Sequence, residues 1–156
     1  MSDLHLTIKL VHIVGSAVLL GTGLGIAFFM VMAHRTRNPA VVAHTAGIVV
    51  IADAVFTATA VVIQPVTGLG MAWLAGYPLH QFWIAASIVL YLMVGLCWLP
   101  VVWIQIRLRN LAIVAVRDSA ALPEAYFRLF RIWFWLGVPA FAGVVAIFAL
   151  MIWKPV

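Results

Sequence analysis

The sequence predicts an all-α fold, a transmembrane four-helix bundle running up and down with both termini on the outer side. Three observations lead there. Hydrophobic residues make up 67% of the 156 positions and charged ones only 8%, whereas a soluble domain carries about a quarter charged. The mean hydropathy is +1.20, which makes the bilayer the solvent for most of the chain. The apolar residues also fall into four runs, each long enough to cross a hydrocarbon core that needs about 20 residues. Little chain is left for a second domain, and no strand pattern or repeat appears.

The spans are expected over about 6–33, 40–72, 79–106 and 127–153. The polar run His34 to Pro39 stops the first. The second begins near Ala40, and Gln64, Pro65, Thr67, Gly68 and Gly70 predict a kink or an early end after Ile63. Trp73, Gly76, Tyr77 and Pro78 form an aromatic turn without Lys or Arg. The third span opens at Leu79 with His80 and stays uncharged to Arg107. A basic amphipathic connector follows, in which Pro123 and Glu124 suit the first turn of the last helix. Pro139 predicts a bend in that helix.

Loop charges orient the bundle. Arg35 and Arg37 lie in the first connection, and Arg107, Arg109, Arg117, Arg128 and Arg131 lie in or beside the third. The positive-inside rule makes both connections cytoplasmic, with Trp73, Tyr77, Trp83 and Trp153 at the outer interface and Trp103, Trp133 and Trp135 at the inner one. This placement accounts for the net charge of +5 without nucleic acid, because the basic residues flank apolar runs instead of lining one polar face. The basic connector reads as an anchor on anionic lipids. A single cysteine, Cys97, excludes an internal disulfide and any multi-cysteine metal site within one chain. Asp3 ahead of Lys9 and the length of the first run argue for a retained span in place of a cleaved signal.

Two histidines are expected near the outer face, His12 one turn into the first helix and His80 opening the third. At helical period, Ser16, Leu19 and Gly23 share the face of His12, with Gly15 slightly off it, and Ser87, Tyr91 and Trp98 share that of His80. A histidine at matched depth on two helices is how a bundle grips a b-type haem, each neutral imidazole giving one axial nitrogen. His12 and His80 are therefore the candidate haem-iron ligands, with Lys9, Gly15 and Gly23 around the cofactor. The bland reading gives both histidines to water and headgroups, and Lys9 to snorkelling. His34 and His44 belong to the cytoplasmic interface, and His5 to water or headgroups.

Asp53 lies halfway through the second span, where an unpaired charge costs several kcal/mol. Thr57, Ala60 and Gln64 share its face. The stripe reads either as a proton relay toward the outer site or as an uncharged Asp53 gluing helices. Gly21, Gly23 and Gly25 spell GxGxG, but without a preceding strand this is no nucleotide loop. Gly21 and Gly25 give the GxxxG spacing of close helix packing, within the chain or in a homo-oligomer.

Lys9-Leu10-Val11-His12, the glycine-rich run after it, Gln64 to Met71, Leu79 to Trp83 and Lys154-Pro155 together resemble the predicted integral-membrane family called domain of unknown function 2269. The resemblance covers nearly the whole chain and implies a membrane fold without naming an activity. More distantly, the chain is similar to HemJ-type protoporphyrinogen oxidases and to CopD-type membrane domains. Lys9 and His12 match the Lys-x-x-His of the HemJ type, Pro65 and Gly68 loosely match its Pro-Gly element, and His80 matches its third-helix histidine. Phe82 stands where that pattern has lysine, and Leu136-Gly137 stand where it has Asn-Glu. The resemblance thus implies haem histidines without the charged groups of porphyrinogen chemistry. Met30, Met32, Met71, Met93 and Met151 are too scattered for a copper site.

The expected function is a small b-type haem protein of a bacterial inner membrane. It would pass electrons between a quinone or soluble reductase and another acceptor, or act on a tetrapyrrole. The competing expectation is a cofactor-free accessory subunit of a larger membrane complex.

Overall fold

The computed structural model describes residues 3–155. Four helices run up and down: α1 (Asp3–Thr36), α2 (Pro39–Leu74), α3 (Phe82–Arg117) and α4 (Glu124–Trp153). Each is long and apolar enough to cross a membrane, and at 1.5 Å per residue even the 30 residues of α4 extend to roughly 45 Å, beyond a hydrocarbon core of about 30 Å. The ends carrying Arg35, Arg37, Arg117 and Arg128 form the basic end, and the opposite one is the His12 end.

The turns follow from their residues. Arg37 adopts a left-handed φ of 52°, Asn38 accepts from the Ala40 N–H at 2.9 Å, and Pro39 starts α2 at the position where a missing N–H costs nothing. At the His12 end Gly76 supplies φ of 69°, and the Tyr77 N–H reaches back to the Ala72 carbonyl at 2.9 Å, closing a Schellman turn that a side chain there would strain. The third turn closes in the same way, with Ser119 left-handed and the Ala120 N–H on the Ala115 carbonyl at 2.9 Å. Beside it the exposed Arg117 and Asp118 pair at 2.8 Å, and the guanidinium holds the Asp118 carboxyl below the usual carboxylate range. After α4, Lys154 lies over the rings of Tyr77 and Trp83, 5.5 and 5.4 Å from their centroids, tying the last residues to the α2–α3 turn.

The core lies in the basic half. Met30 and Ala33 of α1, Val42, Ala46 and Val49 of α2, Leu108 and Ala112 of α3, and Tyr126, Phe130 and Trp133 of α4 bury one another there. His34 enters this cluster, stacked on Phe130 at 3.7 Å between centroids and hydrogen-bonded through Nδ1 to the Tyr126 hydroxyl at 3.3 Å. In the other half the helices pair off. The backbone of α3 approaches α2 along Pro39–Ala52, and from Asp53 onward α2 packs chiefly on α1 while α3 packs on α4.

Two expectations need correction. Of the kink or early end expected after Ile63, the early end does not occur, and α2 continues to Leu74, close to the expected limit of 72. Its irregularity lies earlier, in a π-turn over Asp53–Thr57 where the Ala58 N–H reaches the Asp53 carbonyl. Pro65 removes the hydrogen bond to the Val61 carbonyl, and the Tyr91 hydroxyl of α3 donates to that oxygen instead. Trp133 is not interfacial: it is buried and donates to Gln105 at 3.1 Å, while Trp73, Trp103, Trp135 and Trp153 are exposed. The amphipathic basic connector is mostly helix, with α3 running to Arg117 and α4 beginning at Glu124 as Pro123 and Glu124 led one to expect.

Candidate functional site

Near the His12 end, α1 and α2 come together through small residues. A Cβ on Gly15 would stand 2.6 Å from Gln64 Nε2, and one on Gly68 would stand 3.2 Å from His12 Cε1. Each glycine therefore makes room for a polar side chain of the other helix. Gln64 uses that room to donate from Nε2 to the His12 carbonyl at 3.0 Å.

The His12 ring is held through Nδ1. The Thr67 hydroxyl spends its proton on the Ile63 carbonyl at 2.7 Å, so toward His12 Nδ1, 2.8 Å away, it accepts. Nδ1 then carries the imidazole proton, and Nε2 keeps its lone pair. A histidine whose Nδ1–H is fixed by an oxygen while Nε2 is free has the arrangement of a metal-ligating imidazole.

The other residues expected around a cofactor are distributed less closely. His80 is exposed in the turn before Phe82 and not on α3 itself, and it makes no side-chain hydrogen bond among the described residues. Lys9 is exposed one turn before His12. Gly15 is taken up by the contact with Gln64. Gly21 and Gly23 are exposed, and a Cβ at Gly21, Gly23 or Gly25 would meet nothing within 4 Å, so none of the three makes close contact between helices within the chain. Among the described residues, no three His, Cys, Asp or Glu side chains gather as a metal cluster. A haem needs only one or two axial imidazoles, and His12 meets the chemical requirement for one of them.

A second polar cluster lies deeper. Asp53, 5% exposed, accepts at Oδ1 from Trp98 Nε1 at 3.2 Å and at Oδ2 from Gln105 Nε2 at 3.3 Å. Gln105 is turned that way because its Oε1 accepts from the indole of Trp133 at 3.1 Å, and an indole can only donate. Helices α2 and α3 are therefore joined through Asp53 with Trp98 and through Val61 with Tyr91. Gln105 and Trp133 had not been expected in this network. A Gln two turns below Trp98, on the same face, was the sequence signal for the first. Along α2 the Asp53 cluster is about 20 Å from Thr67, so the two sites are separate.

The model for the family described as "Predicted integral membrane protein (DUF2269)" matches residues 6–155. No curated protein and no solved structure matches the chain. With all but the first few residues and the last one inside that match, and four helices able to span a bilayer, the chain belongs to this family of integral membrane proteins of unknown function.

Proposed function

We propose that this is a small b-type haem-binding protein of the bacterial inner membrane, with the basic end in the cytoplasm and both termini outside. The observation that carries the reading is the 2.8 Å contact of His12 Nδ1 with the Thr67 hydroxyl, which occupies Nδ1 and leaves Nε2 as a donor atom for iron. The match of Lys9 and His12 to the HemJ-type Lys-x-x-His supports it. His80, in the turn at the same end, is the candidate for the second axial position, and Lys9 is placed by sequence to meet a propionate. Bound haem would supply one-electron redox chemistry. The chain's part is to hold Nδ1 through Thr67 and to keep the imidazole close against α2 at Gly68.

The test is the absorption spectrum of the gently solubilised protein, before and after dithionite, from cells supplied with a haem precursor. A Soret and α band that sharpen on reduction are expected, lost in His12→Ala and displaced in Thr67→Val. A flat visible spectrum from folded wild-type protein would sink the reading. It would favour an accessory subunit of a larger complex instead, a reading supported by the exposed Gly21 and Gly23, which leave space for a helix of another chain to approach closely.

A further inference from the structure

Asp53 is alone. From Lys9 to Arg35, from Arg37 to Arg107 and from Arg131 to Lys154, it is the single charged residue in the chain. Its two donors, Trp98 and Gln105, are both neutral and solvate the carboxylate without balancing its charge. Among the described residues no Lys, Arg or His pairs with it, the one ion pair being Arg117–Asp118; Tyr91 is committed to Val61 and Tyr126 to His34, and Cys97, next to Trp98 on α3, is neutral as a thiol. A bare carboxylate at this depth is costly unless a positive charge joins it.

One turn along the same helix, the Thr57 hydroxyl is buried with no hydrogen-bond partner, and the residue is only 7% exposed. Two other threonines of α2 bond locally. Thr59 and Thr67 return their hydroxyls to the carbonyls four residues earlier, at 2.6 and 2.7 Å. Thr57 does not, and the corresponding Asp53 carbonyl takes the Ala58 N–H through the π-turn. The irregular turn thus places a carboxylate with unused lone pairs and a free hydroxyl on one buried face, a kind of distortion that recurs at functional sites in helices. In irregular membrane helices, freed backbone carbonyls and half-helix ends coordinate sodium ions or protons.

We propose that Asp53 and Thr57 form a site inside the membrane for a small monovalent cation, sodium or a proton, that neutralises the carboxylate and is shared with the Thr57 oxygen. One carboxylate matches one positive charge. A divalent ion would call for more carboxylate or water oxygens than are gathered here. Hydroxyl and carboxylate oxygens are hard donors suited to sodium, and a proton on Asp53 would satisfy Thr57 Oγ1 by an O–H···O bond. The site is independent of His12 and of any haem.

The experiment uses the full chain in detergent at neutral pH. Thermal unfolding is followed in sodium chloride and in choline chloride of equal ionic strength, and infrared spectra are recorded for a protonated carboxyl band. A sodium-dependent rise of roughly 5 °C in the wild-type midpoint, absent in Asp53→Asn and reduced in Thr57→Val, assigns the site to sodium. Indifference to sodium with a carboxylic-acid band that disappears in Asp53→Asn and shifts in Thr57→Val assigns it to a proton. Wild-type protein with neither response holds a bare carboxylate between Trp98 and Gln105, and the proposal is overturned. The wild-type measurements decide this even if a variant fails to fold.

Discussion

In the basic half of the bundle, Met30, Val42, Leu108, Tyr126 and Phe130 bring all four helices into one core, whereas in the His12 half each helix pair closes on itself. There α1 and α2 meet at Gly15 and Gly68, and α3 and α4 meet at Gly143, where a Cβ would stand 2.6 Å from Val94 Cγ2. Lipid tails are as apolar as leucine, so burial alone does not drive helices together in a bilayer. Shape and hydrogen bonds do. The basic half relies on interlocking aromatic and aliphatic shape, and the other half on small residues within pairs and polar side chains between them. The candidate chemistry belongs to the second region, where polar atoms remain available.

The largest effect expected from breaking this contrast is in the basic half. Phe130→Ala removes the ring stacked on His34 and packed 5.5 Å from the Trp133 ring, and should cost about 3–5 kcal/mol of unfolding free energy in detergent. A loss under about 1 kcal/mol would mean that this half is not a closely packed core. Next is a pair of glycine substitutions. Gly143→Leu must displace Val94 and Met93 at the α3–α4 contact and should cost about 1–3 kcal/mol. Gly21→Leu meets open space and should stay within about 0.5 kcal/mol. Equal losses at the two sites would show that Gly21 is also packed, by a second chain.

How much of this was legible in the sequence depended on whether one helix or two were needed to see it. The four spans, and the stripes Asp53–Thr57–Gln64 and Ser87–Tyr91–Trp98, follow from hydropathy and helical period, which are properties of single helices. The partners across helices do not. Trp133 read as an interface residue because tryptophan favours that depth, yet the Gln105 carbonyl oxygen draws its indole inward. Thr67 sits two residues after Pro65, in a stretch that read as loosened helix, and only the fold of α2 against α1 shows it fixing His12. The π-turn over Asp53–Thr57 left no mark in composition. His80 was counted as the first turn of a helix that in fact starts at Phe82, an ordinary error of a residue or two at a boundary.

The same distinction explains Pro65. In isolation a proline in mid-helix costs about 3 kcal/mol or more, which is why the helix was expected to falter. Here the Val61 carbonyl that Pro65 leaves free is met by the Tyr91 hydroxyl, a hydrogen bond between the two helix pairs in the half where their backbones do not approach. Tyr91→Phe should therefore destabilise the wild type by about 1 kcal/mol. In a Pro65→Ala background, where an N–H at position 65 can return to Val61, the same change should cost much less. The coupling between the two substitutions, measured as a double-mutant cycle in detergent unfolding, isolates this bond from the loss of either side chain alone. Zero coupling would mean that Tyr91 holds the pairs together by its ring and not by its hydroxyl.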